Sequence, residues 1–194
     1  MSLINELTAM VAKEAARNSG MSEDMTQKMM PMAMAAIMGG LKRNASNPQG
    51  AEALAGALDR HDGGLLNNLA GLGDSNVQAD GQKILSHILG GKQATTEKAL
   101  ARTAGVDQSQ ISNLMAMAAP VILASLGQAK RQGGLDVSSL AGLVTQESAR
   151  VQQAAPKELG GLMQFLDSDG DGDFKDDLLE AAGKQLLGGL FGRK

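Results

Sequence analysis

Residues 167–180, DSDGDGDFKDDLLE, set six aspartates within eleven positions: Asp167, Asp169, Asp171, Asp173, Asp176 and Asp177. Lys175 is the only basic residue among them. Carboxylates at alternate positions repel one another unless a cation offsets them. A hard divalent cation such as Ca²⁺ takes about six to eight oxygen ligands at roughly 2.3–2.6 Å. Side chains at the first, third and fifth positions of a wound loop converge on such an ion, a glycine at the sixth permits the sharp turn, and the seventh gives a backbone carbonyl. Asp167, Asp169, Asp171, Gly172 and Asp173 stand at those five positions.

This is the first half of a single EF-hand-like loop. The second half departs from the pattern, because Leu178 occupies the twelfth position, where a bidentate glutamate belongs. A helix starting near Asp173 or Phe174 would bring Asp176 and Asp177 back toward the ion. Asp177 lies nearer the twelfth position and is the first choice to close the loop. Asp176 either shares that task or supports the helix N-terminus, where negative charge is favourable. The metal site expected is therefore Asp167, Asp169, Asp171, Asp173, Asp177 and Asp176, with Ca²⁺ as the cofactor. Mg²⁺ fits less well, since flexible carboxylates in number suit the larger ion. The competing reading is a solvated acidic turn that caps a helix, which leaves the mutual repulsion uncompensated. One loop without a partner loop suits a structural role better than a sensor's.

The elements that must carry this loop are helical. The chain has 194 residues, with no Trp, no Tyr and three Phe, so Ala, Leu, Met and Gly fill its interior. Ala, Leu and Met favour helices, and the β-branched and aromatic residues that strands prefer are scarce. The fold class expected is all-α. The absence of Cys excludes disulfides and thiolate chemistry, as suits a reducing compartment. The N-terminal stretch carries acidic residues and no continuous apolar run, unlike a signal peptide. The apolar runs 29–41 and 114–129 fall short of the roughly 20 residues that span a bilayer and read as buried core helices. A cytoplasmic protein with no membrane span is expected.

Net charge is −3; the segment 167–180 alone carries −6, from six Asp and Glu180 against Lys175, which leaves +3 on the remainder. No basic face is evident, so a nucleic-acid partner is not expected from charge. An unknown protein partner or self-association is the remaining expectation.

Two stretches repeat at an offset of 85 residues, 14–41 and 99–126. Ala16 matches Ala101, Gly20 matches Gly105, Met32 matches Met117, Ile37 matches Ile122 and Leu41 matches Leu126. An internal duplication follows, with repeats over about 3–61 and 84–148. Each copy has a short helix, a Gly turn, a long apolar helix and a further short helix. Ser2, Ser22, Asp107 and Asp136 are the expected helix starts, and Gly20 a left-handed cap. Pro31 and Pro120 should kink or split the long helices. Residues 44–50, 61–64 and 71–76 read as loops. Ile84, Leu85, Ile88 and Leu89 mark the inward face of a helix between the repeats. A polar linker over 145–158 leads to the acidic tail. The domains expected are a duplicated helical body, 1–152, and a C-terminal calcium-loop segment with its exiting helix, 153–194.

The unit 99–114 has the spacing of a DNA-reading helix-turn-helix: Ala101, Gly105, Val106 and Ile111. Its second helix would offer Gln108, Ser109, Gln110 and Asn113 to base edges. No Arg or Lys lies between Arg102 and Lys130, and the equivalent positions of the first repeat are Ser22, Glu23 and Asp24. A tight helix crossing explains the small residues equally. Seven of the twelve Met fall between 21 and 38 at helical spacing, as core residues or as a Met-lined groove. His61 and His87 are isolated, and His87 reads as a packed or hydrogen-bonded histidine. There is no Ser-His-Asp set, no second pair of catalytic carboxylates and no phosphate loop, so no enzyme is expected.

Three segments taken together carry a family resemblance: ADGQKILSHILGGK (79–92), the Gly turn followed by MAMAAPVILASLG (115–127), and the end GGLMQFLDSDGDGDFKDDLLEAAGKQL (160–186). The chain resembles the bacterial domain-of-unknown-function family 937, which has YidB-like members. The resemblance extends over nearly the whole chain. It implies a helical, cytoplasmic protein and lends weight to the calcium loop, and it brings no biochemical activity with it. The function expected is a non-enzymatic helical scaffold or interaction protein with a structural calcium-binding loop. The alternative is a DNA-associated regulator using residues 99–114.

Overall fold

The Gly turns and cap residues fix where each helix begins and ends. In a computed structural model, which describes residues 3–61 and 64–154, seven α-helices follow one another. They are α1 (Leu3–Ser19), α2 (Glu23–Ala45), α3 (Pro48–Arg60), α4 (Ser75–Leu89), α5 (Gln93–Ala104), α6 (Gln108–Gly133) and α7 (Val137–Ala154). Three 3₁₀ turns, Gly64–Asn67, Leu69–Gly73 and Gly90–Lys92, join them. No strand occurs among the described residues, and the all-α expectation holds. Ser2 and the whole acidic segment 167–180 with its exiting helix lie outside the described residues.

Ser22 sits in extended backbone and its hydroxyl accepts from the Met25 N–H, opening α2 as expected. Glu23 and Asp24 fall in the first turn and Lys42 and Arg43 in the last, each matched to the helix dipole. At the start of α6 the Gln110 side chain accepts from the Asp107 N–H at 3.2 Å. The turn before it places Gly105 at φ +66°, with the N–H groups of Gly105 and Val106 donating to the Arg102 and Ala101 carbonyls. The turns between α1 and α2 and between α5 and α6 keep the 85-residue offset, Ser19 with Ala104 and Glu23 with Gln108, while the outer ends of these helices do not.

The interior belongs to α2 and α6. Met29, Met30, Met32, Met34 and Met38 are at most 2% exposed, which makes the Met cluster core. Every residue of α6 from Leu114 to Gly127 is buried. A helix apolar on all sides needs neighbours on all sides, and α6 packs on α1, α2, α3, α4 and α5. At 26 residues α6 is long and apolar enough to cross a bilayer, beyond the shorter run read from sequence, but 83% of that window is buried inside the protein. Lys130 ties its far end to α3, donating to Asp59 at 2.5 Å and to the Ala55 carbonyl at 3.0 Å.

Three expectations need correction. The helices α2 and α6 are not split at Pro31 and Pro120. Each proline costs one backbone bond, and the burial on either side holds the helix together. The segment 44–50 contains a turn of only two residues, Ser46 and Asn47. Asn47 Oδ1 accepts from the Gly50 N–H at 2.7 Å and Pro48 takes the first position of α3, where its missing N–H is harmless. The polar linker from 145 is helical to Ala154, because Leu140, Val144, Glu147, Ser148 and Val151 form one buried stripe.

Candidate functional site

The helices α3 and α4 present faces that meet across a cleft of about 590 Å³. On α3 the lining positions are Gly50, Ala53, Leu54, Ala57 and Arg60, with His61 at the helix end. On α4 they are Asp80, Lys83, Ile84, His87 and Ile88. The spacings of three and four along both stretches are those of single helical faces. Leu41 and Asn44 of α2 and Leu123 of α6 complete the lining. Arg60, His61 and Asp80 also border an adjoining cavity of about 350 Å³ lined by Leu65, Val77 and Pro120. The floor is apolar, since Leu41, Leu54, Ile84, Ile88 and Leu123 are buried residues. The rim is polar and exposed at Arg60, Asp80, Lys83 and His87.

Close backbone approaches hold the walls. Gly81 of α4 lies against the Ala116 carbonyl of α6, so near that a Cβ there would overlap it. That carbonyl is four residues before Pro120 and is denied its helical donor by the proline ring. Gly127 of α6 likewise lies against the His61 carbonyl, with the Leu58 carbonyl a little farther off, and so fixes the end of α3. Asn44 bridges from α2, its Nδ2 donating to the carbonyls of Ile88 at 3.2 Å and His87 at 3.4 Å.

His87 Nδ1 lies 2.7 Å from the Lys83 carbonyl. A carbonyl only accepts, so Nδ1 carries the proton and Nε2 is the free ring nitrogen. The reading of His87 as hydrogen-bonded is correct, and both histidines of the chain line one cleft. Among the described residues no group of three His, Cys, Asp or Glu is placed to hold a metal ion. Arg60 and Lys83 make no ion pair among the described residues. Sequence reasoning missed Arg60, Asp80 and Lys83. The helical spacing of 80, 83, 84, 87 and 88 was the available signal.

A second polar cluster lies where α4, α5 and α6 meet. Glu97, 5% exposed, accepts from Gln93 at 2.9 Å, from Ser112 at 3.2 Å and from Gln108 at 3.3 Å. Gln82 joins it, donating to the Ser112 hydroxyl and accepting from Gln93, both at 2.9 Å. Every partner is an amide or a hydroxyl, so the cluster is a closed hydrogen-bond network that pins three helices.

The unit 99–114 is a helix pair joined by the Gly105 turn. Two of its four candidate base readers are hydrogen-bonded to neighbouring elements. Gln108 donates to Glu97 and to the Ala94 carbonyl, and Gln110 donates to the Gly20 carbonyl of the α1–α2 turn. The helix they open is the central core helix. The candidate metal ligands Asp167, Asp169, Asp171, Asp173, Asp176 and Asp177 lie outside the described residues.

No curated protein and no solved structure matches the chain. The model of one family matches residues 2–129, a span that takes in α1 to α5, most of α6 and both walls of the cleft but stops short of the acidic segment, against the wider coverage expected from sequence. The chain accordingly belongs to the family of bacterial proteins of unknown function designated DUF937.

Proposed function

We propose that this protein is a non-enzymatic helical scaffold or interaction protein, cytoplasmic, built from a duplicated helical unit and carrying one structural calcium-binding loop. The observation that carries the reading is the D-x-D-x-D-G-D series from Asp167 to Asp173, whose spacing matches the ligand positions of a wound calcium loop. Asp177 or Asp176 supplies the closing carboxylate. The duplication is supported by the matched residues and by the 85-residue offset between the α1–α2 and α5–α6 turns. A scaffold role is supported by the interior, where aliphatic and Met side chains form one buried core. Partner binding is by another protein or a second copy.

Calorimetric titration of the metal-stripped full-length chain with Ca²⁺ tests the loop. One site per chain is expected, lost in both Asp167→Ala and Asp171→Ala. Absence of heat together with an unshifted melt at millimolar Ca²⁺ would sink the calcium reading. Binding to duplex DNA at low salt, where phosphates are unscreened, would instead favour a regulator built on residues 99–114.

A further inference from the structure

We infer that the α3–α4 cleft binds a small amphipathic carboxylate, an apolar body with one anionic head. The volume of about 590 Å³ is that of a small-ligand site, which runs roughly 300–1,000 Å³. The apolar floor of Leu41, Leu54, Ala57, Ile84, Ile88 and Leu123 suits a hydrocarbon body. The charge at the rim selects the head. Among the described lining residues Arg60 and Lys83 stand with Asp80 as the charged groups, a surplus of one positive charge. Neither cation is ion-paired among the described residues, so both are available to a ligand. A metal ion is the poorer occupant, since no third ligand converges with any two of these groups among the described residues. The inference is independent of the calcium loop.

Decanoate, with decanol as its uncharged counterpart, is the probe, and the chain itself provides the reporter. It has two histidines and both line this cleft, His87 without bordering the adjoining cavity, so the imidazole resonances in a heteronuclear NMR spectrum report on the site. Saturable shifts of His61 and His87 with decanoate are expected, at one equivalent per chain by calorimetry. Ala57→Phe, which fills the apolar floor, should abolish them. The double variant Arg60→Gln, Lys83→Gln should weaken decanoate about tenfold, the sum of two half-solvated charge contacts, and leave decanol unchanged. Circular dichroism melts check that each variant folds; should Ala57→Phe fail to fold, the charge variant carries the test. The inference is overturned if neither histidine moves with decanoate, or if the double variant loses decanol and decanoate alike.

Discussion

At the scale of single residues, the buried hydroxyls divide by what they bond. Ser125 Oγ donates to the Val121 carbonyl at 2.7 Å, and Thr96 and Thr26 donate to the carbonyls four residues before them. Ser148, fully buried on α7, has no partner for its Oγ among the described residues. A buried hydroxyl without a partner costs free energy on folding. Ser148→Ala should therefore stabilise the protein by about 1 kcal/mol, read as a higher urea midpoint at unchanged slope. A lower midpoint would show that the hydroxyl does have a partner. Its neighbour Glu147 is as deeply buried but pairs with Arg150 at 2.6 Å. Asp136 makes a second residue-scale prediction. Its carboxylate is held below its ordinary value, first by the Ser139 N–H at 2.8 Å and then by the Ser139 and Ser138 hydroxyls. A pKa lowered by folding gives stability that is present above the unfolded value near 3.9 and is lost as pH falls through the folded one. Asp136→Asn keeps an oxygen for the cap but cannot titrate. The melting-temperature gap between wild type and Asp136→Asn should be steady at neutral pH and should shrink below about pH 4. The start of α7 at Asp136 was legible in the sequence; the empty bond of Ser148 was not, because it depends on what the neighbouring helices offer.

At the scale of elements, two glycines in helix interiors have opposite roles. A Cβ at Gly81 would overlap the backbone carbonyl of Ala116, whereas one at Gly56 on α3 would meet nothing within 4 Å. Backbone yields less readily than a side-chain tip. Gly81→Ala should cost about 3 kcal/mol by forcing α4 off α6. Gly56→Ala should add up to about 1 kcal/mol, since alanine loses less entropy in a helix. Thermal melts of the two variants should move in opposite directions; a neutral Gly81→Ala would mean that α4 can slide. Much at this scale could be read beforehand. Ile84, Leu85, Ile88 and Leu89 are buried as their spacing predicts, and Ser22 and Asp107 stand where the long helices begin. The prolines misled because their cost is local while the burial of α2 and α6 is spread along the helix. Pro120 even contributes to the crossing, since the Ala116 carbonyl it frees is the one that Gly81 rests on.

At the scale of the whole molecule, the halves interlock. The helix α1 packs on α6 as well as on α2, and α2 packs on α7 and α6 as well as on α3. Contacts across the halves are thus part of the same core as contacts within them. That is why the cleft was not legible: His61 and His87 each look solitary in the sequence, and only the joint packing of α3 and α4 around α2 and α6 brings them to one cleft. A core shared in this way opens as a unit, so its slowest amides should exchange only through global unfolding. Hydrogen exchange followed by mass spectrometry should find residues 29–41 and 111–127 equally and most strongly protected, because both stretches are buried at nearly every position. Residues 64–73 should exchange first, since Leu72 is their only buried side chain. Two separable halves would instead protect α2 and α6 to different extents. Equal protection would mean that neither half keeps a core of its own, and that a ligand in the α3–α4 cleft, touching α2 and α6 together, stabilises the entire body by mass action rather than one wall of it.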